Sequence, residues 1–420
     1  MIMELARICR FFGYSAETET MLRNCGWSEA DERSSETPEF LTIAFQEKYY
    51  PQTRCRIDAM PAIRRISAIA EQNPEVRTLA RYLSRIYLHT RDNNTPDALP
   101  LPEKVFGDDA GVLFLMVATA AIPMIEATHR RYGIPEHYAA DSASWIGGSS
   151  LLFNQSHGNL PGFLLNQIRW LRCSIDGTLF RIGRLEFKMT TVPSHVPAIY
   201  RNAEGRTLLL CGDGWFLNKD GLRVRMDSPD AAFKTTLDHI DGSVTGTPIS
   251  PLGVTLSGKT VTLSDSEWKP LISPWETILE IHIPGGGGMT PERLRDSLNQ
   301  ALAFFRSFFH KEIRLFTCNS WILNPEWEKR LPESNIAAFL REGYLYPHEI
   351  GDGRDGLFFL FGRMDGDPLS YPADNSMRRA MLDVLREGGI LKRGGMVLPA
   401  ADLKSLSTNK LILIAPCAIL

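Results

Sequence analysis

The chain has 420 residues, 44% of them hydrophobic and 23% charged, with a formal net charge of −3. That is globular composition, long enough for two or three cores, and it offers no bulk basic field to attract nucleic acid. Seven dispersed cysteines, Cys9, Cys25, Cys55, Cys173, Cys211, Cys318 and Cys417, form no Cys-x-x-Cys and no Cys/His cluster at zinc spacing. A metal is therefore not expected, and a reducing cytoplasm fits better than export.

Residues 1 to about 160 read as helical. Candidate helices lie near 2–12, 17–25, 38–49, 59–72, 75–90, 102–132 and 136–153, with Pro38, Pro61, Pro74 and Pro102 near their starts, where proline is tolerated. The start, Met1 to Phe12, includes Glu4 and reads as too short and mixed for a signal peptide. The most apolar run, 110–125, carries Pro123 and falls short of the ~20 residues that span a bilayer, so it reads as a buried core helix and no membrane partner is expected. Basic residues on these helices, such as Arg64, Arg77 and Arg85, read as a solvated face.

The pattern changes near Leu160. Residues 168–175 and 178–189 are strand-like, with Asp176-Gly177 as a hairpin turn between them. Further short strands follow near 198–200, 207–210, 222–226 and 261–263, and 238–258 reads as an irregular excursion. Then Ile278-Leu279-Glu280-Ile281-His282-Ile283 alternates with a period of two, Glu280 and His282 sharing one face. Pro284 and the four glycines Gly285–Gly288 come next. Thr290 fits an N-cap and Pro291 the first helical position, followed by an apolar stripe from Leu294 to Phe309. This order, strand then glycine loop then helix, has a chemical consequence. A helix start carries unpaired N–H groups and the positive end of the macrodipole, and glycines let an anion approach the backbone. The loop suits a phosphate or diphosphate, or else it is a flexible linker. No Lys-Ser/Thr follows it, so it is not a P-loop, and no Rossmann glycine fingerprint is present.

After the helix, 313–318 and 344–347 read as strands, 335–342 as a helix ended by Gly343, 357–361 as another strand, 376–387 as an amphipathic helix and 411–420 as a docked apolar tail.

With those elements in place, the chain resembles the GNAT superfamily of N-acyltransferases. The family's Gln/Arg-x-x-Gly-x-Gly/Ala loop falls on His282-Ile283-Pro284-Gly285-Gly286-Gly287, and its later helix, with a Tyr-x-x-x-Gly-Phe ending, on Asn335 to Tyr344. The whole is similar to bacterial acyltransferases with a helical N-terminal domain and a GNAT-like C-terminal domain. The resemblance implies an α+β fold: an all-helical domain at 1–160, a mixed β-sheet domain flanked by helices at 161–365, and a helical extension at 366–420.

It further implies an acyl-CoA co-substrate, acetyl-CoA or longer. His282, Ile283, Gly285, Gly286, Gly287, Gly288 and Asn335 would bind the cofactor, and a small-molecule or peptide amine would accept the acyl group by direct attack. The family's acidic tyrosine falls on Phe339, which has no proton to give, so the acid shifts to Tyr344, with Tyr346 and Cys318 also near in sequence. Glu280 is the candidate base, because an amine must lose a proton to attack a thioester. A non-catalytic coenzyme-binding protein on a degenerate scaffold is the alternative. His157, near the domain junction, and the Arg184/Glu186 pair are further candidates with ordinary structural readings beside them.

Overall fold

The computed structural model describes all residues except 1–3, 29–30, 32–35, 91–94, 97–98, 251, 287, 349–353 and 405–420. The apolar tail at 411–420 and Gly287 therefore lie outside the described residues. The chain forms two compact units: Met1–Arg181 with Pro284–Gly286, and Ile182–Ile283 with Gly287–Leu420.

The first unit is helical. Ser15 caps one helix by accepting from the Thr18 N–H, and Thr42 caps another by accepting from the Phe45 N–H. At its centre the helix Ala110–Thr119 has every residue buried. The stretch Glu103–Arg131 is long and apolar enough, by length and composition, to cross a membrane. Here its central segment forms the middle of a protein core. Gln46 is buried there too, and its amide donates to the Phe40 carbonyl (2.6 Å) and to the Thr119 hydroxyl (2.8 Å), which offsets its desolvation. Gly111 and Gly162 make room for the Phe153 ring: a Cβ at either would lie 2.2 or 2.4 Å from it.

Helix continues past Leu160. The run 168–175, expected as a strand, lies in the helix Leu165–Ile175. Its buried residues Leu165, Ile168 and Leu171 recur every third position, a helical spacing, whereas the apolar residues Leu171, Cys173 and Ile175 within the run also alternate as in a strand. Asp176 and Gly177 end this helix, with Gly177 at φ +71°. The hairpin turn is instead Gly183-Arg184, between the strand Leu179–Ile182 and the next one.

The second unit is built on a mixed sheet. Its strands are β1 (Leu185–Thr191), β2 (Thr277–His282), β3 (Leu315–Ser320), β4 (Tyr344–Pro347) and β5 (Gly394–Pro399), in the spatial order β1-β2-β3-β5-β4. Only the β2–β3 pair among these is parallel. β5 corrects the expected helical extension: the segment after 366 supplies a strand between β3 and β4 as well as the helix Ser376–Arg386. Its glycines disguised it, and they are needed. A Cβ on Gly394 would lie 2.0 Å from the Leu323 carbonyl oxygen.

The run 357–361 is also corrected, to the helix Arg354–Phe361, whose Leu360 carbonyl accepts from the Arg378 guanidinium. Gly343 ends its helix in extended geometry (φ −127°) rather than left-handed. It is glycine because Met396 would be 2.4 Å from a Cβ.

Residues between β1 and β2 form small antiparallel sheets, so 238–258 is more ordered than expected, with strands Leu237–Ile240, Ser243–Gly246 and Pro248–Ile249. Ile199, Leu209, Trp215 and Ile249 of this insertion share one core with Ile278, Leu315, Tyr344, Tyr346 and Val397 of the main sheet. The helix Pro291–Phe309 packs through Leu294, Leu298, Ala301, Phe304 and Phe305, and its Thr290 cap accepts from the Arg293 N–H. Ser297 on this helix accepts from the Leu185 N–H (3.1 Å) and donates to the Ile182 carbonyl, bracketing the Gly183-Arg184 turn. Ser297→Ala leaves both backbone groups unmatched in a buried place, and we expect a loss of about 1–3 kcal/mol in urea unfolding.

Candidate functional site

β2 and β3 pair through Leu279 with Phe316, Glu280 with Thr317 and Ile281 with Cys318. There the parallel ladder ends, yet both strands continue. His282 still pairs outward with Glu186 on β1, and Asn319 and Ser320 pair outward with Gly395 and Gly394 on β5. Neighbouring strands that keep their outer partners while losing each other part into a wedge. Along its walls, backbone N–H and C=O groups are left to pair with something else, and an extended amide-bearing ligand can supply those bonds.

Beyond the end of β2, Pro284 is buried and Gly285, Gly286 and Gly288 are exposed. Gly286 has φ +79°, which favours glycine, and a Cβ there would meet nothing within 4 Å. A Cβ on Gly285 would touch only the Gly148 carbonyl, at 3.9 Å. Gly288 is brought beside Asn335, whose Nδ2 lies 4.0 Å from its Cβ position, so those two proposed cofactor residues are neighbours. The Arg184 Nε donates to the Gly288 carbonyl (3.3 Å), placing a cation at the loop. Pro284–Gly286 group with the helical unit and Gly288 with the sheet unit.

One face of the sheet carries the titratable groups. Glu280 stands opposite Lys188 on β1 and Thr317 on β3, and His282 stands opposite Glu186. The His282 Nε2 lies 3.7 Å from Glu280 Oε2, with each side chain about a quarter exposed (25% and 23%). Glu280 is held below the ordinary carboxylate pKa, chiefly by His282. Burial opposes this, while Lys188 and His195 reinforce it. His195 is pushed below its ordinary 6.5 by burial and by Arg223, against the pull of Glu280. Its ring centre lies 5.0 Å from that of His348, whose Nε2 is 2.7 Å from the Asn319 Nδ2.

Tyr344, the expected acid, is buried at a different point: its hydroxyl faces Thr207 and the Arg201–Asp402 ion pair. Cys318 is wholly buried and its thiol is pushed up by that burial, which leaves it a poor proton source. Phe339 is a core residue, 1% exposed. Arg184 and Glu186 take separate roles, one at the loop and one beneath His282. His157 stacks on Phe153 (4.0 Å between centres, 2° between planes), a structural role. His195, His348 and Asn319 were missed in sequence, because only the fold brings His195 to Glu280 and the other two to His195 and to each other. Glu280→Gln removes the charge that raises the His195 pKa, so NMR titration is expected to find that pKa lower still; an unmoved value would mean that the two are not coupled.

A mixed sheet with one parallel pair that parts at a glycine loop and helix start defines a GNAT-like domain. The model of the GNAT-like C-terminal domain family matches residues 179–398, and the chain belongs to that family. No curated protein sequence matches it. Among solved structures, an acyltransferase in complex with decanoyl-CoA and teicoplanin superposes with a TM-score of 0.59 at 18% identity, covering 94% of this chain and 99% of that one. An acyltransferase mutant in complex with octanoyl-CoA gives 0.59 at 19% identity with the same coverage. An acyltransferase in complex with CoA and 10C-teicoplanin gives 0.58 at 18%, again with the same coverage. These likenesses are of fold: a helical N-terminal region followed by a GNAT-like mixed sheet.

Proposed function

We propose that this chain transfers an acyl group from acyl-coenzyme A to an amine by direct attack. The observation that carries the reading is the wedge between β2 and β3, with open glycines and a capped helix start beyond it. A linear amide-containing arm fits between parted strands, and a diphosphate fits free N–H groups at a helix start. His282, Ile283, Gly285, Gly286, Gly287, Gly288 and Asn335 are the proposed coenzyme contacts. The similar structures hold octanoyl- and decanoyl-CoA and a glycopeptide, so we take a medium-length acyl chain and a bulky amine-bearing small molecule as the first substrates to try. The free cysteines among the described residues accord with a cytoplasmic setting.

The pKa directions support one division of the proton chemistry. A carboxylate with a depressed pKa is a weak base, whereas an imidazole held below 6.5 is neutral at pH 7, which leaves a ring nitrogen lone pair open to a proton. His195 is therefore the proposed base, and Glu280 steadies the imidazolium that forms. This moves the base expected at Glu280 to His195, whose charge acts on it. The amine nitrogen attacks the thioester carbon, its proton passes to His195, and the C–S bond breaks with its electron pair on sulfur.

Calorimetry with decanoyl-CoA followed by a thiol-release assay over an amine panel tests the reading. His195→Gln is expected to lower kcat/KM about 10²-fold. The acid limb of the wild-type profile is expected below pH 6.5, since protonating His195 removes the base. Gly286→Val forces a branched side chain into left-handed backbone and over the loop; an affinity loss of about tenfold or more is expected, and an unchanged Kd would count against the loop. The second reading, a non-catalytic acyl-CoA binder, is favoured by the core phenylalanine at 339. Binding without thiol release from any amine would support it.

A further inference from the structure

His195 is carried by a turn and not by a strand: it lies between Thr191, the last residue of β1, and the next strand, which starts at Ala198. The backbone of that turn is secured. Val196 is buried in the core, and its N–H donates to the Pro193 carbonyl (3.0 Å). The half-buried imidazole itself still turns about two side-chain bonds, and a proton acceptor has to be held in one orientation to work. The ring beside it is His348, just past the end of β4. Their centres are 5.0 Å apart and their planes stand at 65°, an edge-to-face arrangement. His348 is tethered in its turn, with its Nε2 2.7 Å from the Asn319 Nδ2. Asn319 belongs to β3, where it pairs with Gly395 of β5. A line of contacts therefore runs from a residue in a regular ladder, through one imidazole, to the imidazole on the turn.

The chemistry of the tether sets the state of the middle ring. An asparagine Nδ2 only donates, so the His348 Nε2 facing it offers a lone pair, and the single proton of that ring sits on Nδ1. His348 is then neutral beside His195. We propose that His348, fixed by Asn319, is a positioning residue for the base: it holds the His195 ring in the orientation that meets the attacking amine and, being uncharged, adds no repulsion when His195 takes up the proton. This assignment rests on the acyltransferase reading above. No bond to His348 forms or breaks, and the amine's proton goes to His195 alone. The charged groups that act on His195 are Glu280 from β2, which favours its protonated form, and Arg223 from the insertion, which disfavours it. A cationic His348 would side with Arg223 and oppose proton uptake. A carboxylate at position 319 would create that cation, whereas the amide does not. Strand rigidity thus reaches a loop-borne base without bringing a second charge to it.

The experiment uses the full chain and two readouts. Nitrogen-15 NMR of the imidazoles is expected to show wild-type His348 with its proton on Nδ1 near neutral pH, and to show it with both nitrogens protonated in Asn319→Asp. A wild-type His348 protonated on Nε2, which would mean that the amide is turned over, overturns the assignment, and so does an Asn319→Asp protein whose His348 stays uncharged. The second readout is thiol release with decanoyl-CoA and the best amine of the panel. His348→Ala is expected to lower kcat about tenfold, through loss of orientation, while the Kd for decanoyl-CoA stays put. His348→Phe, which keeps a neutral ring beside His195, is expected to recover part of that loss. An unchanged kcat in His348→Ala, a loss confined to Kd, or a His348→Phe protein no faster than His348→Ala overturns the role. Absence of thiol release from the wild-type protein would instead sink the acyltransferase reading, and the tautomer of His348 can still be read in that case.

Discussion

The second unit depends on how one pair of strands is held. β2 and β3 are hydrogen-bonded to each other for only three residue pairs, and each is anchored on its outer side over a longer run. Antiparallel ladders to β1 and β5 fix the two strands independently, so the gap between them needs no ligand to keep it open. The cost of unpaired backbone is confined to a few groups at one end. Binding can then repay it, since a ligand with amides of its own restores the missing bonds.

Around that gap the charged groups serve one another. His282 and Lys188 hold Glu280 ionised, and Glu280 in turn favours the protonated form of His195, while burial and Arg223 disfavour it. Opposed influences of this kind leave the imidazole neutral near pH 7, with burial and Arg223 outweighing Glu280. The insertion between β1 and β2 brings His195 there, and its apolar core seals the same sheet face. The same segment therefore supplies both apolar packing and a histidine that acts on Glu280.

Much of this was legible in the residues. Alternation from Ile278 to His282, the glycines, the Thr290-Pro291 start and the stripe behind it identified β2, the loop and the following helix, and the helical N-terminal region followed from its periodicity. What failed has physical causes. The run 168–175 has an apolar pattern compatible with both periods, and 357–361 is too short and uniformly apolar to show one. β5 begins with two glycines, which discourage a strand unless a neighbour needs their space, and that need arises from Leu323 and Tyr346 far away in sequence. Of the site, Glu280 and His282 could be placed because both lie on one regular strand. His195, His348 and Asn319 are joined only through sheet register, which no local pattern encodes.

The insertion leaves the sheet after Thr191 and returns at Thr277, which face each other across the first rung of the β1–β2 ladder. The glycine loop departs from the other end of β2. A segment that exits and re-enters at adjacent points closes on itself, so it can lengthen, shorten or be exchanged with little disturbance to the strand it decorates. The insertion and the glycine loop are thereby mounted on opposite ends of one six-residue strand. Evolution can retailor the one as a cassette while inheriting the other intact.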